Sequence, residues 1–395
     1  MMLGLLLART GLQVEVLEKH ADFLRDFRGD TIHASTLEVM HELGLLGEFL
    51  QRPHQKIQHL AVSFADRAIR FADFGHVPTR CRFIVLMPQW DFLNFIAEQA
   101  KRYPSFHLRM STEATTLIEE HGRIVGVNAR APQRQLAIRA DLIVAADGRD
   151  STLRQQAGLR LKELGAPIDV LWLRLSKQPG DPDEVIGRVG AGALLVMLDR
   201  GDYWQCAYVI GKGGAEAIRG EGIAAFRERI AAIAPLLSNR VAELDDWNDI
   251  KLLSVSVNRL VSWARAGLLL IGDAAHAMSP VGGVGINLAI QDAVAASNLL
   301  AEPLRKGRLT LRHLEAVQER RQLPTRVTQW LQVAIQNRVL RRLLASRVTP
   351  QPPLPLRWLA GSPYLQRLPA RLIGVGIRPE HVATDELVAP QASAQ

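Results

Sequence analysis

Cysteine is nearly absent from this chain: Cys81 and Cys206 are the only two in 395 residues. Two thiols build neither a disulfide scaffold nor a four-cysteine zinc site, and they suit a reducing cytosol. No Cys/His spacing suggests a metal centre. Long hydrophobic runs are also missing. No apolar stretch approaches the roughly 20 residues of a spanning helix. The opening MLGLLLA follows no basic segment, so it reads as an internal helix rather than a signal peptide. The basic residues come without a recognised nucleic-acid fold or an aromatic platform, which argues against DNA or RNA as partners. What is present supports a large core. A hydrophobic content of 48% over this length is enough for two closely packed domains.

The densest signal lies in residues 268–292, LLLIGDAAHAMSPVGGVGINLAIQD. The apolar run 268–271 reads as a buried strand. It stops at Gly272 and Asp273, crosses a loop rich in glycine and proline, and enters a helical pattern near Gly285. An acidic residue at a strand end can accept bonds from sugar hydroxyls. Glycines ahead of a helix let backbone N–H groups close on an anionic or carbonyl-rich ligand. The plain alternative is a strand–loop–helix connection with small residues for packing. His276 in this loop reads as a loop hydrogen-bonder rather than a base. A second segment, DLIVAADGRDSTLR over residues 141–154, repeats the logic. A strand over 142–146 ends in Asp147 and Gly148, and Asp150 or Ser151 can cap the helix that follows.

Together these segments resemble the FAD-dependent aromatic hydroxylases, the family of p-hydroxybenzoate hydroxylase and the ubiquinone-pathway hydroxylases. The resemblance implies an α/β fold in which a Rossmann-like FAD-binding domain is interleaved with a β-sheet substrate domain. It implies that Asp273 meets the ribityl chain of FAD, with Gly272 beside it in the cofactor site. Pro280 would lie beside the isoalloxazine ring, with Gly285, Ile286 and Asn287 near its pyrimidine end and Gly283 also in the cofactor site. Asp147 and Gly148 match a fingerprint associated with FAD and pyridine nucleotide. Arg28 matches a cofactor-contacting arginine, and Gln89, where a strand meets a helix, matches a flavin-contacting position. For these last two an ordinary surface role stands beside the cofactor role.

The N-terminal end departs from the family pattern. There a strand, then G-x-G-x-x-G, then a helix bring the pyrophosphate to the helix start. Here residues 3–9 read as that helix, Gly11 as its stop, and 14–17 as the next strand. By the resemblance Glu18 takes the adenosine ribose hydroxyls. The first strand and the phosphate loop would precede Met1, and a misplaced start codon or a truncated gene is the expectation.

The middle of the chain reads as the substrate domain. A strand-like stretch carries Trp172, apolar runs over 194–198 and 203–210 form a meander, and 217–233 is helical. HLAVSFADRAIRFADF reads as a hairpin around Asp66 and Arg67. Trp172, Met197, Tyr203, Trp204 and Tyr208 are candidates for a substrate wall, with core packing as the plainer reading of each. Residues 190–192 and 211–214 are turns without the strand–helix context of a second dinucleotide fold, so no separate NAD(P)H domain is expected. The division expected is 1–55, 85–160 and 260–300 for FAD, and 56–84 and 161–259 for substrate. A basic helical region over 301–382 and a disordered tail over 383–395 complete it.

Charge is uneven. Residues 301–380 hold 15 Lys and Arg against 4 Asp and Glu, a net +11, which leaves −3 elsewhere. A long helix packed on the flavin domain, with arginines snorkelling to water, is the expectation. Contact with the inner face of a membrane is the alternative.

The activity implied by the resemblance is a monooxygenase. NAD(P)H reduces FAD, O2 is captured as a flavin C4a-hydroperoxide, and an aromatic or polyprenyl-phenol-type carbon is hydroxylated. Pro280 shapes that site, and no side-chain acid–base pair is called for. A geranylgeranyl-reductase-like oxidoreductase and a truncated, non-catalytic remnant are the rivals. A flavin halogenase is disfavoured because no W-x-W-x-I-P motif is present.

Overall fold

A computed structural model describes residues 1–24, 31–65, 67–182 and 186–388. Arg28 and Asp66 lie outside the described residues. The apolar opening forms a helix over Met2–Arg9, with Leu5, Leu6 and Ala8 buried. Gly11, at φ +81°, breaks it, and Val14–Leu17 pairs in parallel with Phe106–Arg109. A second parallel pair joins Ile143–Ala145 to Leu268–Leu270, with Ala264–Arg265 beyond. These strands, the N-terminal helix, Gln89–Lys101 and Gly285–Arg305 enclose the main core. Segment Val281–Arg305 is long and apolar enough to cross a membrane, by length and composition. However, 67% of its most apolar window is buried inside the protein. A core helix that is apolar on nearly every face explains this.

The second layer is a seven-stranded sheet. Its order is Lys251–Leu253, Ile168–Ser176, Tyr203–Gly211, Ala193–Asp199, Ile186–Gly190, His59–Phe64 and Arg67–Asp73. The early hairpin joins the later meander through a parallel pairing, Val62 beside Gly187. The helical pattern over 217–233 is two helices, Ala215–Gly220 and Ile223–Ile233. The chain turns between them at Gly222, whose φ of +89° suits glycine.

The C-terminal region packs as the long helix Leu311–Ile335, with Leu314 and Val317 in the main core. Arg312 and Arg320 reach water as expected, and Arg321 is the exception. Arg321 does not snorkel; it is fully buried, with its Nε 3.0 Å from Asp292 Oδ1. A buried guanidinium is tolerable only when so paired. The tail also differs from a disordered one as far as Val388. Leu387 N–H donates to the Arg9 carbonyl at 3.0 Å, and Tyr103 Oη donates to Glu386 at 2.5 Å. Residues 389–395 lie outside the described residues.

Candidate flavin site

The two sequence motifs come together at the ends of adjacent parallel strands. Ala145 stands beside Leu270, and Ile271 N–H donates to the Ala145 carbonyl at 3.1 Å. One strand then turns at Asp147 and Gly148, the other at Gly272 and Asp273. Both turns therefore lie at the carboxyl ends of the strands, the edge where open α/β sheets bind ligands. Arg149 Nη2 lies 3.6 Å from Asp273 Oδ2, and both side chains are partly exposed. Ser151 Oγ caps the following helix by accepting from Arg154 N–H at 3.0 Å. The buried Arg154 guanidinium donates to the carbonyls of Ala274 (3.0 Å) and Arg149 (2.6 Å). It staples one motif to the other. Gly148 has φ +88°, with no atom within 4 Å of where a Cβ would sit, so the space above this turn is open.

The glycine loop is fitted closely to its surroundings. Gly283 has φ +62°, and a Cβ there would lie 2.8 Å from Thr31 Oγ1. Asn287 uses every hydrogen-bonding position it has. Its Oδ1 accepts from His33 N–H and Thr36 Oγ1, both at 2.8 Å, and its Nδ2 donates to the carbonyls of Thr31 (2.9 Å) and Gly283 (3.1 Å). The Asn287 side chain is therefore a brace, and what it can offer a ligand is its backbone. Helix Gly285–Arg305 has no side-chain cap at Val284, so the N–H groups of its first turn are left for a ligand. Asp273 is half-buried, with Oδ1 about 4.0 Å from the Cβ position of Gly285.

Below the loop lies a buried network that short motifs could not reveal. His276 Nε2 is 2.6 Å from Asp292 Oδ2, which also accepts from Gly272 N–H at 3.1 Å. Arg321 bridges Asp292 to Glu380. Burial alone would raise the Asp292 carboxyl, but His276, Arg321 and the Gly272 N–H bring it below its ordinary range. His276 thus acts as a loop hydrogen-bonder, with its ring on Trp263 at 4.9 Å. Pro280 is held by a glutamine ladder. Gln332 accepts from Ser279 N–H (3.2 Å) and donates to the carbonyls of Ser279 (3.0 Å) and Val281 (2.8 Å). Gln329 donates to the Ala277 carbonyl, and Gln336 to Ser279 Oγ. The three- and four-residue spacing of Gln329, Gln332 and Gln336 on one helix face was the available signal.

The remaining predicted residues sit around this loop. Gln89 opens its helix three residues after Leu86, and Leu86 pairs with Thr31, which touches Gly283. Glu18 follows strand Val14–Leu17, and its Oε1 accepts from His20 N–H at 3.0 Å. His33 is fully buried beside the carbonyls of Gly282 and Ile373, and burial pushes it down to about 4. The wall candidates divide by sheet face. Met197, Trp204 and Tyr208 belong to a sealed core under helix Ile223–Ile233 and cannot meet a ligand. Trp172 lies on the opposite face with Leu194, Val196 and Val281 of the flavin loop, all half-buried. Tyr203, in register with Ser176, shares the face of Trp172, with the Arg174 guanidinium 3.8 Å over its ring.

These residues fit FAD. Acidic side chains stand at strand ends, an uncapped helix start adjoins them, and the Gly148 turn has open space above it. The fold and site define a flavin-binding α/β oxidoreductase. More closely, the chain belongs to the FAD binding domain family, whose model matches residues 1–331. It is 34% identical over 340 residues to 6-methylpretetramide 4-monooxygenase of Streptomyces rimosus, covering 86% of this chain and 81% of that protein. Its fold is similar to p-nitrophenol 4-monooxygenase PnpA of Pseudomonas putida DLL-E4 (TM-score 0.74, 18% identity, covering 94% of this chain and 95% of that one). It is also similar to PqsL of Pseudomonas aeruginosa in complex with 2-aminobenzoylacetate (TM-score 0.73, 21% identity, 91% and 95%). The chain is an FAD-dependent oxidoreductase of the monooxygenase class, with NAD(P)H the co-substrate typical of the family.

Proposed function

We propose that this chain uses NAD(P)H and O2 to hydroxylate an electron-rich aromatic or polyprenyl-phenol-type small molecule. The observation that carries the reading is the half-buried apolar set of Trp172, Leu194 and Val196, packed with Val281 of the flavin loop. The names of the curated relative and of PnpA, both 4-monooxygenases, support ring oxygenation. FAD, when bound, supplies hydride acceptance and O2 activation. The chain supplies binding, orientation and exclusion of water.

In this reading Asp273 and Glu18 accept from ribityl and ribose hydroxyls. The turns at Asp147, Gly148 and Gly272 admit the cofactor's polar chain. The N–H groups of Gly285, Ile286 and Asn287 face carbonyl or anionic atoms of the ring system. Gly283 lets the loop close on Thr31, and Pro280 shapes the reacting side. Gln89 contacts the ring from its helix start, and Arg28 contacts the cofactor. We assign 1–55, 85–160 and 260–300 to FAD binding and 56–84 and 161–259 to substrate. A cytoplasmic placement with peripheral contact through 301–382 completes the proposal.

Oxygen uptake by the flavin-loaded chain with NADH or NADPH, across a panel of phenols and prenylated phenols, tests it. Phenol-stimulated uptake and product labelled from 18O2 are expected. Reduction of an olefinic substrate without oxygen uptake would move the reading to a geranylgeranyl-reductase-like enzyme.

A further inference from the structure

We propose that the paired helices Leu354–Ala360 and Pro363–Gly374 form a docking surface for anionic phospholipid headgroups. The inference rests on the peripheral placement above and is independent of the oxygenation reaction.

The outer helix is inverted. Gln366, Ala370 and Gly374 point inward and are buried, while Tyr364 and Leu368 point to solvent. Gly374 packs so tightly that a Cβ would lie 3.0 Å from the Phe74 ring. The inward stripe is therefore fixed by contact with the body, and the apolar stripe is left outside. The neighbouring helix repeats this, with Leu354 and Trp358 one turn apart and both outward. Relative exposures are 62% for Leu354, 71% for Trp358, 74% for Tyr364 and 66% for Leu368. Exposed apolar side chains this dense mark an interaction surface.

Charge selects the partner. Residues 321–379 contain ten Arg, no Lys, no Asp and no Glu. Arg357 and Arg371 are exposed on the two helices, and among the described residues neither has an ion-pair partner. Arg367 lies 4.6 Å over the Tyr364 ring. A second copy docking face to face would set arginine against arginine. An anionic bilayer accepts both features at once: Trp, Tyr and Leu enter the headgroup boundary and Arg meets phosphate. The short, proline-bounded helices suit a surface contact rather than a span.

The test is co-sedimentation of the full chain with phosphatidylglycerol/phosphatidylcholine vesicles and with phosphatidylcholine vesicles. Sedimentation velocity is run alongside. Binding to the anionic vesicles, weakened by salt, is expected. Arg357→Gln with Arg371→Gln should weaken it roughly thirtyfold, the loss of two headgroup attractions. Trp358→Ser with Leu368→Ser should weaken it as well. Both variants should keep the wild-type far-UV spectrum and flavin content, because all four side chains are exposed. Three results would overturn the proposal: no binding at low salt, equal binding to both vesicle types, or a dimer that the Leu368→Ser pair dissolves. Vesicle binding without phenol-stimulated oxygen uptake would sustain the surface and remove the oxygenase reading alone.

Discussion

The two faces of the seven-stranded sheet carry similar side chains and have different fates. One face, with Leu171, Leu173, Leu175, Met197, Trp204 and Tyr208, is sealed by helix Ile223–Ile233. It is locked at one edge by polar bonds. Trp204 Nε1 donates to Asp181 at 2.9 Å, and Arg240 pairs with the same carboxylate. The other face, with Trp172, Leu194 and Val196 half-buried, is covered in part by Leu340 and Leu344 and borders the flavin loop at Val281. Aromatic content alone therefore does not mark a binding surface. What sets the second face apart is the flavin loop at its border, where its side chains stay half-buried.

The largest effect is expected on the sealed side. Trp204→Ala should cost about 3–5 kcal/mol, the usual range for emptying a fully buried aromatic site. Thermal or denaturant unfolding reads this. In the variant that still folds, KM for the aromatic substrate should stay near wild type. A selective rise in KM would place Trp204 at the substrate.

Acid should separate the two sides. On the loop side, His33 is buried and titrates at about 4 in the folded chain, against about 6.5 when unfolded. Between these values the unfolded chain takes up a proton that the folded chain refuses. Stability therefore falls as pH drops from about 6.5 to 4, by up to about 3 kcal/mol. On the sealed side, the Arg240 guanidinium holds the Asp181 carboxyl well below the usual carboxylate range. Its contribution is present above the ordinary aspartate range and is lost only as pH falls through and below it. Denaturation between pH 7 and pH 3 should show the first loss in wild type and lack it in His33→Asn. A profile unchanged in His33→Asn would show that this histidine does not govern the loop side.

The smallest stability effect belongs to the open face. Trp172→Ala should cost about 1–2 kcal/mol, because the side chain is only half-buried. Its larger consequence should be in recognition, with kcat/KM for the aromatic substrate falling roughly tenfold or more. An unchanged kcat/KM would move the substrate wall elsewhere.

Much of this was legible in the sequence, and the failures have physical causes. Strand Val14–Leu17 sits where its pattern placed it, and Leu268–Leu270 ends one residue before the predicted stop. Buried parallel strands are short apolar runs ended by turn residues, which a single sequence displays directly. The two turns at Asp147 and Asp273 followed from the same logic. The wall candidates did not separate, because side chains alternate faces with a period of two and only register shows which face a helix covers. The buried pairings were also hidden. Asp292 meets Arg321 29 residues away, and Asn287 reaches His33 across 254 positions. Asn287 was legible as a residue of this loop, but the bracing bonds of its side chain were not.

In the reading proposed above, FAD binds where these strands end, with Asp273 among its contacts. Flavin titration of the full chain, followed by visible absorption, tests it most directly in wild type and in Asp273→Ala. One flavin per wild-type chain is expected, with at least about tenfold weaker binding in the variant, the loss of a charged hydrogen bond. Equal flavin affinity and stoichiometry in the two proteins would contradict it.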